Sequence, residues 1–145
     1  MAISIQMKAR YLRPVNSYDY PISLGNLAST LLIRFKYGLH SDDLSQAISL
    51  FKEILELRPV SHYVQSMSLN GLGNALLTQF EQGGQIIHLD EAIFLHQSAV
   101  ESTPSDHAGL PGFLNSLGNS YLCRFKHTGD LWDIDSAISY HISKM

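Results

Sequence analysis

An internal repeat with a strict period of 45 residues constrains this chain more than any other feature of its sequence. Three segments align without insertion or deletion, and each ends on a phenylalanine, at Phe35, Phe80 and Phe125. The same offset relates an Ala-Ile pair in each copy, which starts at Ala47, Ala92 and Ala137. A period this regular indicates units of one shape, each of which stacks on its neighbour.

Each unit contains two segments with the periodicity of an amphipathic helix. The first segment of the middle unit has apolar residues three or four positions apart, at Leu69, Leu72, Leu76 and Phe80. The second segment of that unit repeats this spacing between residues 89 and 100. Because proline cannot continue a helix, the second segments are expected to end near Pro59 and Pro104. We therefore predict one helix pair per unit, with helix A followed by helix B.

This pattern predicts a single all-α array over residues 1–145, with about seven helices. Residues 1–15 would form the trailing helix B of a preceding unit. Repeat 1 would span residues 16–60, repeat 2 residues 61–105, and a truncated repeat 3 residues 106–145. Neither end has an obvious polar cap, so we expect the chain to be a segment of a longer array.

The order of small, apolar and proline residues in each unit resembles the tetratricopeptide repeat. The matching positions are Leu72 and Gly73, Leu117 and Gly118, then Ala92 and Ala137, then Pro59 and Pro104. The resemblance implies a right-handed α-solenoid of antiparallel helix pairs. Since the family's unit has about 34 residues, the extra ones should lie in the loops. The Leu-Asn-x-Leu-Gly-Asn segment from Leu114 and the Gly-Asp-Leu segment from Gly129 resemble the repeats of fungal multi-repeat proteins. The Ser-Asp-His segment from Ser105 resembles the repeats of kinesin light chain.

Several side chains have expected structural roles. Gly73 and Gly118 should face a neighbouring helix at close distance, as should the alanines of helix B. Asp43 and Asp133 precede apolar helical segments, where an N-cap would accept amide hydrogen bonds. Two histidines stand at the helix-B position that Phe51 holds in repeat 1, and we expect them to be half-buried packing residues: His96 and His141.

Composition excludes several classes of function. The formal net charge is −3, with ten Lys and Arg against thirteen Asp and Glu, which argues against nucleic-acid binding. No apolar run approaches the length of roughly 18 residues that spans a bilayer. The amino-terminal residues lack the pattern of a secretory signal. We expect a cytoplasmic protein that binds neither nucleic acid nor membrane.

The sequence contains no convincing catalytic or cofactor site. His88 and His96 could share a helix face, but no cysteine pair or His-Glu-x-x-His motif accompanies them, so we predict no metal. Cys123 has no histidine partner or electropositive sequence environment that would activate a thiolate. Gly71 and Gly73 lie within a predicted helix and lack the Lys-Ser/Thr of a phosphate loop. The chain is therefore predicted to be non-enzymatic and without a cofactor.

Asparagines recur at two positions of helix A, four residues apart, and thus on one helix face. By resemblance, that face lines the concave groove of a tetratricopeptide array, and amide side chains there could bind an extended peptide. The predicted groove residues are Asn70, Asn74, Leu77, Thr78, Asn115, Asn119, Leu122 and Cys123. The same asparagines could instead bond between neighbouring repeats and hold the stack in register. The groove lacks the basic residues with which some tetratricopeptide domains bind chaperone carboxylates.

We expect a scaffold that binds a protein or peptide partner on this concave surface. The alternative is a structural spacer, or a self-association segment, of a larger signalling protein with no peptide ligand. Uncovered apolar faces on the terminal helices favour this alternative, because such faces tend to pair.

Overall fold

The computed structural model of the chain describes residues 19–38, 40–57 and 61–143, and over these residues the protein is all-helical. The described helices are α1 (Tyr20–Lys36), α2 (Asp43–Glu56), α3 (His62–Gly83), α4 (Ile86–Glu101), α5 (Leu110–Thr128) and α6 (Leu131–Ser143). They correspond to helices A and B of the three predicted units. The expected helix over residues 1–15 and the expected helix end at Pro59 lie outside the described residues.

Glycines in the left-handed conformation form the turn that follows each A helix. Their φ angles are 75° at Gly38, 73° at Gly84 and 77° at Gly129, a region in which a Cβ atom is strained. The amides of the last two donate hydrogen bonds to the carbonyl oxygens of Phe80 and Phe125. The last residues of α3 and α5 are thus capped in the same way, at positions 45 residues apart.

The expectation that Asp43 and Asp133 act as N-caps is wrong. Both carboxylates are buried, and each accepts two hydrogen bonds from an arginine nine residues earlier in the chain. Arg34 approaches the oxygens of Asp43 at 2.6 and 2.7 Å, and Arg124 approaches those of Asp133 at 3.0 Å each. These arginine–aspartate ion pairs therefore join helix A to helix B within one unit.

The helices pack in chain order, each against the helix that follows it. In addition, α1 contacts α3 and α3 contacts α5. Within the described part of the chain, α2 does not contact α4, and α4 does not contact α6. The A helices thus lie closer together than the B helices do.

The predicted small residues lie at close contacts between helices. A Cβ atom on Gly73 would lie 2.6 Å from the ring of His96, and one on Gly118 would lie 2.8 Å from the ring of His141. The predicted close approach at both glycines is confirmed. The helix-B alanines and the leucines that precede the two glycines are buried: Ala47, Ala92, Ala137, Leu72 and Leu117.

Candidate functional site

The predicted groove residues differ widely in how accessible they are. Asn119 is exposed, whereas Thr78 is buried and its hydroxyl donates to the backbone carbonyl oxygen of Asn74 at 2.9 Å. The other six are partly buried: Asn70, Asn74, Leu77, Asn115, Leu122 and Cys123. A ligand on this face could therefore contact Asn119 directly, but not the hydroxyl of Thr78.

Asn74 is engaged with a buried histidine. Its side-chain oxygen Oδ1 lies 2.9 Å from Nε2 of His96, which has no exposed surface. The other ring nitrogen, Nδ1, lies 3.1 Å from Oγ of Ser120 on α5. One imidazole thus connects three helices, α3, α4 and α5. His96 was predicted to be half-buried, but it is fully buried, because the following unit encloses it.

Burial fixes the protonation state of His96. Desolvation lowers its pKa from 6.5 to about 4, although a hydrogen bond to the backbone of Asn70 opposes this shift. The ring is therefore neutral near pH 7. Since Oδ1 of Asn74 can only accept, Nε2 carries the hydrogen. Nδ1 is then an acceptor beside the hydroxyl of Ser120, which also lies within hydrogen-bond distance of the carbonyl oxygen of Leu117, at 2.9 Å. This arrangement uses both nitrogens of a neutral ring.

The remaining asparagines have different surroundings. The side-chain oxygen of Asn70 is buried and has no hydrogen-bond donor among the described protein groups. Asn119, the equivalent of Asn74, lies in the unit where His141 is only partly buried. The asparagines of helix A therefore differ in their surroundings from unit to unit, and Asn74 is bonded to His96 within the helix stack.

Ionisable groups near this face serve contacts between helices. Arg124 bonds Asp133 and also reaches Asp90 on α4, with Nη1 3.1 Å from Oδ1. The hydrogen bonds to Asp133 hold the pKa of Arg124 above its ordinary value. Burial raises the pKa of the Cys123 thiol, so the thiol stays protonated at neutral pH. The described residues include no group of three His, Cys, Asp or Glu side chains placed to hold a metal ion.

The sequence analysis did not predict the aromatic cluster of the third unit. It also did not predict the cavity that the middle unit has at the equivalent positions. Tyr121 stacks on Tyr140 and meets Trp132 edge to face, with ring centroids 5.7 and 5.4 Å apart. The equivalent residues of the middle unit are aliphatic, and they line an open cavity of about 420 Å³ between α2, α3 and α4: Leu76, Ile87 and Leu95. The signal was present in the aligned repeats, as three aromatic residues at positions that are aliphatic in the unit before.

None of the helices in the described part of the chain is both long enough and apolar enough to cross a lipid bilayer. Comparison of the sequence with protein-family models gave no match, and comparison with curated proteins gave no significant match.

Proposed function

We propose that this chain is a non-enzymatic, tetratricopeptide-like scaffold that binds an extended protein segment along its A helices. In this proposal the helix pairs form a right-handed α-solenoid, the A helices line its concave side, and the protein is cytoplasmic. The repeat of 45 residues and the pairing of successive helices support such a stack.

The contacts between A helices are the observation that carries the proposal. Because α3 contacts both α1 and α5, while the described B helices do not contact one another, the A side is the shorter side of the stack. A shorter side is the inner side of a curved array. A partner segment laid there would meet all three units at once.

The chemistry of the accessible residues suits a peptide ligand. Asn119 offers both a donor and an acceptor to a peptide backbone. Leu122 on the same helix and Leu77 on α3 are partly exposed apolar residues. Asn74 and Thr78 are occupied within the stack, so we assign them to holding the units together. The proposed contact surface therefore centres on α5 rather than on α3.

Peptide selection on the immobilised chain tests this assignment. Peptides chosen from a random phage-displayed library would be titrated by fluorescence anisotropy against wild type, Leu122→Glu and Asn119→Ala. We expect Leu122→Glu to weaken binding at least tenfold, because a charge replaces apolar surface in the groove. Asn119→Ala should weaken it several-fold, through loss of a hydrogen bond.

Ile87→Glu is the matched control, since Ile87 is an isoleucine of α4 that is 58% exposed and lies beside the cavity. It should leave the affinity unchanged. Selected peptides that lose binding only with Ile87→Glu would place the ligand in the α2–α4 cavity and contradict the proposal. A library that yields no binding peptide would count against groove binding and favour the spacer alternative.

A further inference from the structure

The α2–α4 cavity of the middle unit is lined by two large apolar residues that are exposed to solvent. Phe94 is 70% exposed and Ile87 is 58% exposed. The residues that correspond to Phe94 in the other two units are both serines, Ser49 and Ser139. The repeat therefore does not require an apolar residue at this position, and the exposed phenylalanine is particular to the unit that has the cavity.

The third unit shows which groups fit into the space of this cavity. Its equivalent positions hold aromatic residues whose rings contact one another: Tyr121, Trp132 and Tyr140. The aliphatic residues of the middle unit leave about 420 Å³ open at the same place. A volume of this size is in the range of pockets that bind small organic molecules. A flat aromatic molecule would supply the ring that the middle unit lacks, and it would bury apolar surface there.

The charged residues that line the cavity indicate a cationic ligand. Asp90 and Glu91 lie on α4, and Lys52 lies on α2. Arg124 bonds Asp90, but the same guanidinium also bonds Asp133, so one positive charge faces two carboxylates. Glu91 is exposed and forms no ion pair within the described part of the chain. The α4 side of the cavity therefore has an excess of negative charge, whereas Lys52 disfavours a cation on the α2 side.

The free carboxylate and the exposed phenylalanine favour the same ligand group. Phe94 follows Glu91 by three residues, so the two side chains are neighbours on the surface of α4. The face of an aromatic ring attracts an ammonium group, as a carboxylate does. In the third unit both positions are serines, Ser136 and Ser139. The unit whose cavity is filled by its own rings thus also lacks the groups that would bind a cation.

From these observations we infer that the α2–α4 cavity binds a small aromatic amine. Its ring occupies the space that the aromatic side chains fill in the third unit, and its ammonium group lies at the α4 edge, beside Glu91 and Phe94. The cavity lies between two B helices, whereas the proposed peptide groove follows the A helices. The two sites are therefore independent, and either can be absent without the other.

Isothermal titration calorimetry with three indole compounds tests the site. Tryptamine carries an ammonium group, indole carries no charge, and indole propionate carries a carboxylate on the same ring. We expect one tryptamine to bind per chain, with indole several-fold weaker and indole propionate weaker still. High salt should narrow these differences, because the carboxylate of Glu91 is exposed and its attraction is screened.

A variant copied from the third unit tests the position of the ring. Leu76→Tyr, Ile87→Trp and Leu95→Tyr together fill the cavity with the aromatic set that the third unit already accommodates. This triple variant should bind none of the three compounds. Circular dichroism and thermal unfolding would show that it is folded.

Two exposed positions test the cation site without altering the walls of the cavity. Glu91→Ser should remove most of the preference for tryptamine and leave the affinity for indole unchanged. Phe94→Ser should weaken the binding of tryptamine and of indole. The control is Ile142→Ser, which removes an apolar residue that is 62% exposed on α6, and it should bind as wild type does.

A wild-type chain that binds no tryptamine at any concentration up to its solubility would overturn the inference. So would undiminished binding by the folded triple variant, because the ligand would then lie elsewhere on the chain. Tighter binding of indole propionate than of tryptamine would contradict the amine, since it would place the charged group of the ligand at Lys52.

Discussion

At the scale of single residues, one helix-B position determines how each unit meets the next. Phe51 fills it in the first interface and lies against Gly71, where an added Cβ would collide with the ring. His96 fills it in the second interface and bonds Asn74 and Ser120. A buried polar ring is tolerated only when its nitrogens are satisfied, so His96 requires its partners in a way that Phe51 does not.

Because His96 is buried and neutral, it should make stability depend on pH. Its pKa is about 4 in the folded chain and 6.5 in an exposed state. Between these values the unfolded chain binds more protons at this residue, so the contribution of His96 to the free energy of unfolding falls as pH is lowered from 7 to 4 and is constant below that. The expected loss is roughly 3 kcal/mol at 1.36 kcal/mol for each pKa unit. Urea unfolding at a series of pH values measures it.

The control for this prediction rebuilds the second interface on the pattern of the first. The triple variant His96→Phe, Ser116→Gly, Ser120→Ala places a phenylalanine against a glycine and an alanine, as Phe51 has in its own interface. Its stability should vary less with pH than that of wild type over the same range. An equal slope in both proteins would mean that other groups cause the pH dependence.

At the scale of the elements, the arginine–aspartate pair that joins helix A to helix B occurs in the first and third units only. Bonding to Arg34 holds the pKa of Asp43 below its ordinary value. In the middle unit the two positions are Gln79 and His88, and Nδ1 of His88 is buried without a hydrogen-bond partner among the described residues. The middle unit therefore lacks the ion pair that joins helix A to helix B in its neighbours.

Grafting the pair into the middle unit should stabilise it. We expect Gln79→Arg together with His88→Asp to raise the free energy of unfolding, with a coupling between the two substitutions of about 2 kcal/mol, because the arginine donates two charge-assisted hydrogen bonds. His88→Asp alone should destabilise, since it buries a carboxylate without a partner. Urea unfolding of both single variants and the double variant provides the double-mutant cycle.

The control is the same graft with lysine at position 79, which carries the charge but cannot form the two parallel bonds. It should show a smaller coupling. Coupling of the same size with lysine would indicate simple charge attraction, and no coupling with arginine would show that this geometry does not transfer between units.

The helices could be predicted well from the sequence because helical periodicity and helix-breaking residues are local signals. Helical spacing and glycines placed all six described helices, and the small residues marked the close approaches. The roles of Asp43 and Asp133 were mistaken because a cap and an ion pair can occupy the same position in sequence. The choice depends on an arginine brought close by the fold. The burial of His96 was underestimated for the same reason, since its enclosure requires Ser120 from the next unit.

At the scale of the whole molecule, the core is unevenly distributed along the stack. The larger cluster of buried residues involves α1, α2 and α3 with one residue of α4, and a smaller cluster joins α3, α4, α5 and α6. Helix α6 contributes only Asp133 and Ala137 as buried residues, whereas α3 contributes eight, from Ser66 to Phe80. In a stack whose units contact only their neighbours, stability is close to a sum of local terms.

This distribution predicts that α6 opens first. Hydrogen exchange followed by mass spectrometry should show the fastest exchange in α6 and the slowest exchange in α3, because α6 contributes few buried residues and can open without disturbing the larger cluster. Uniform protection of all six described helices would instead mean that the stack unfolds as one cooperative unit.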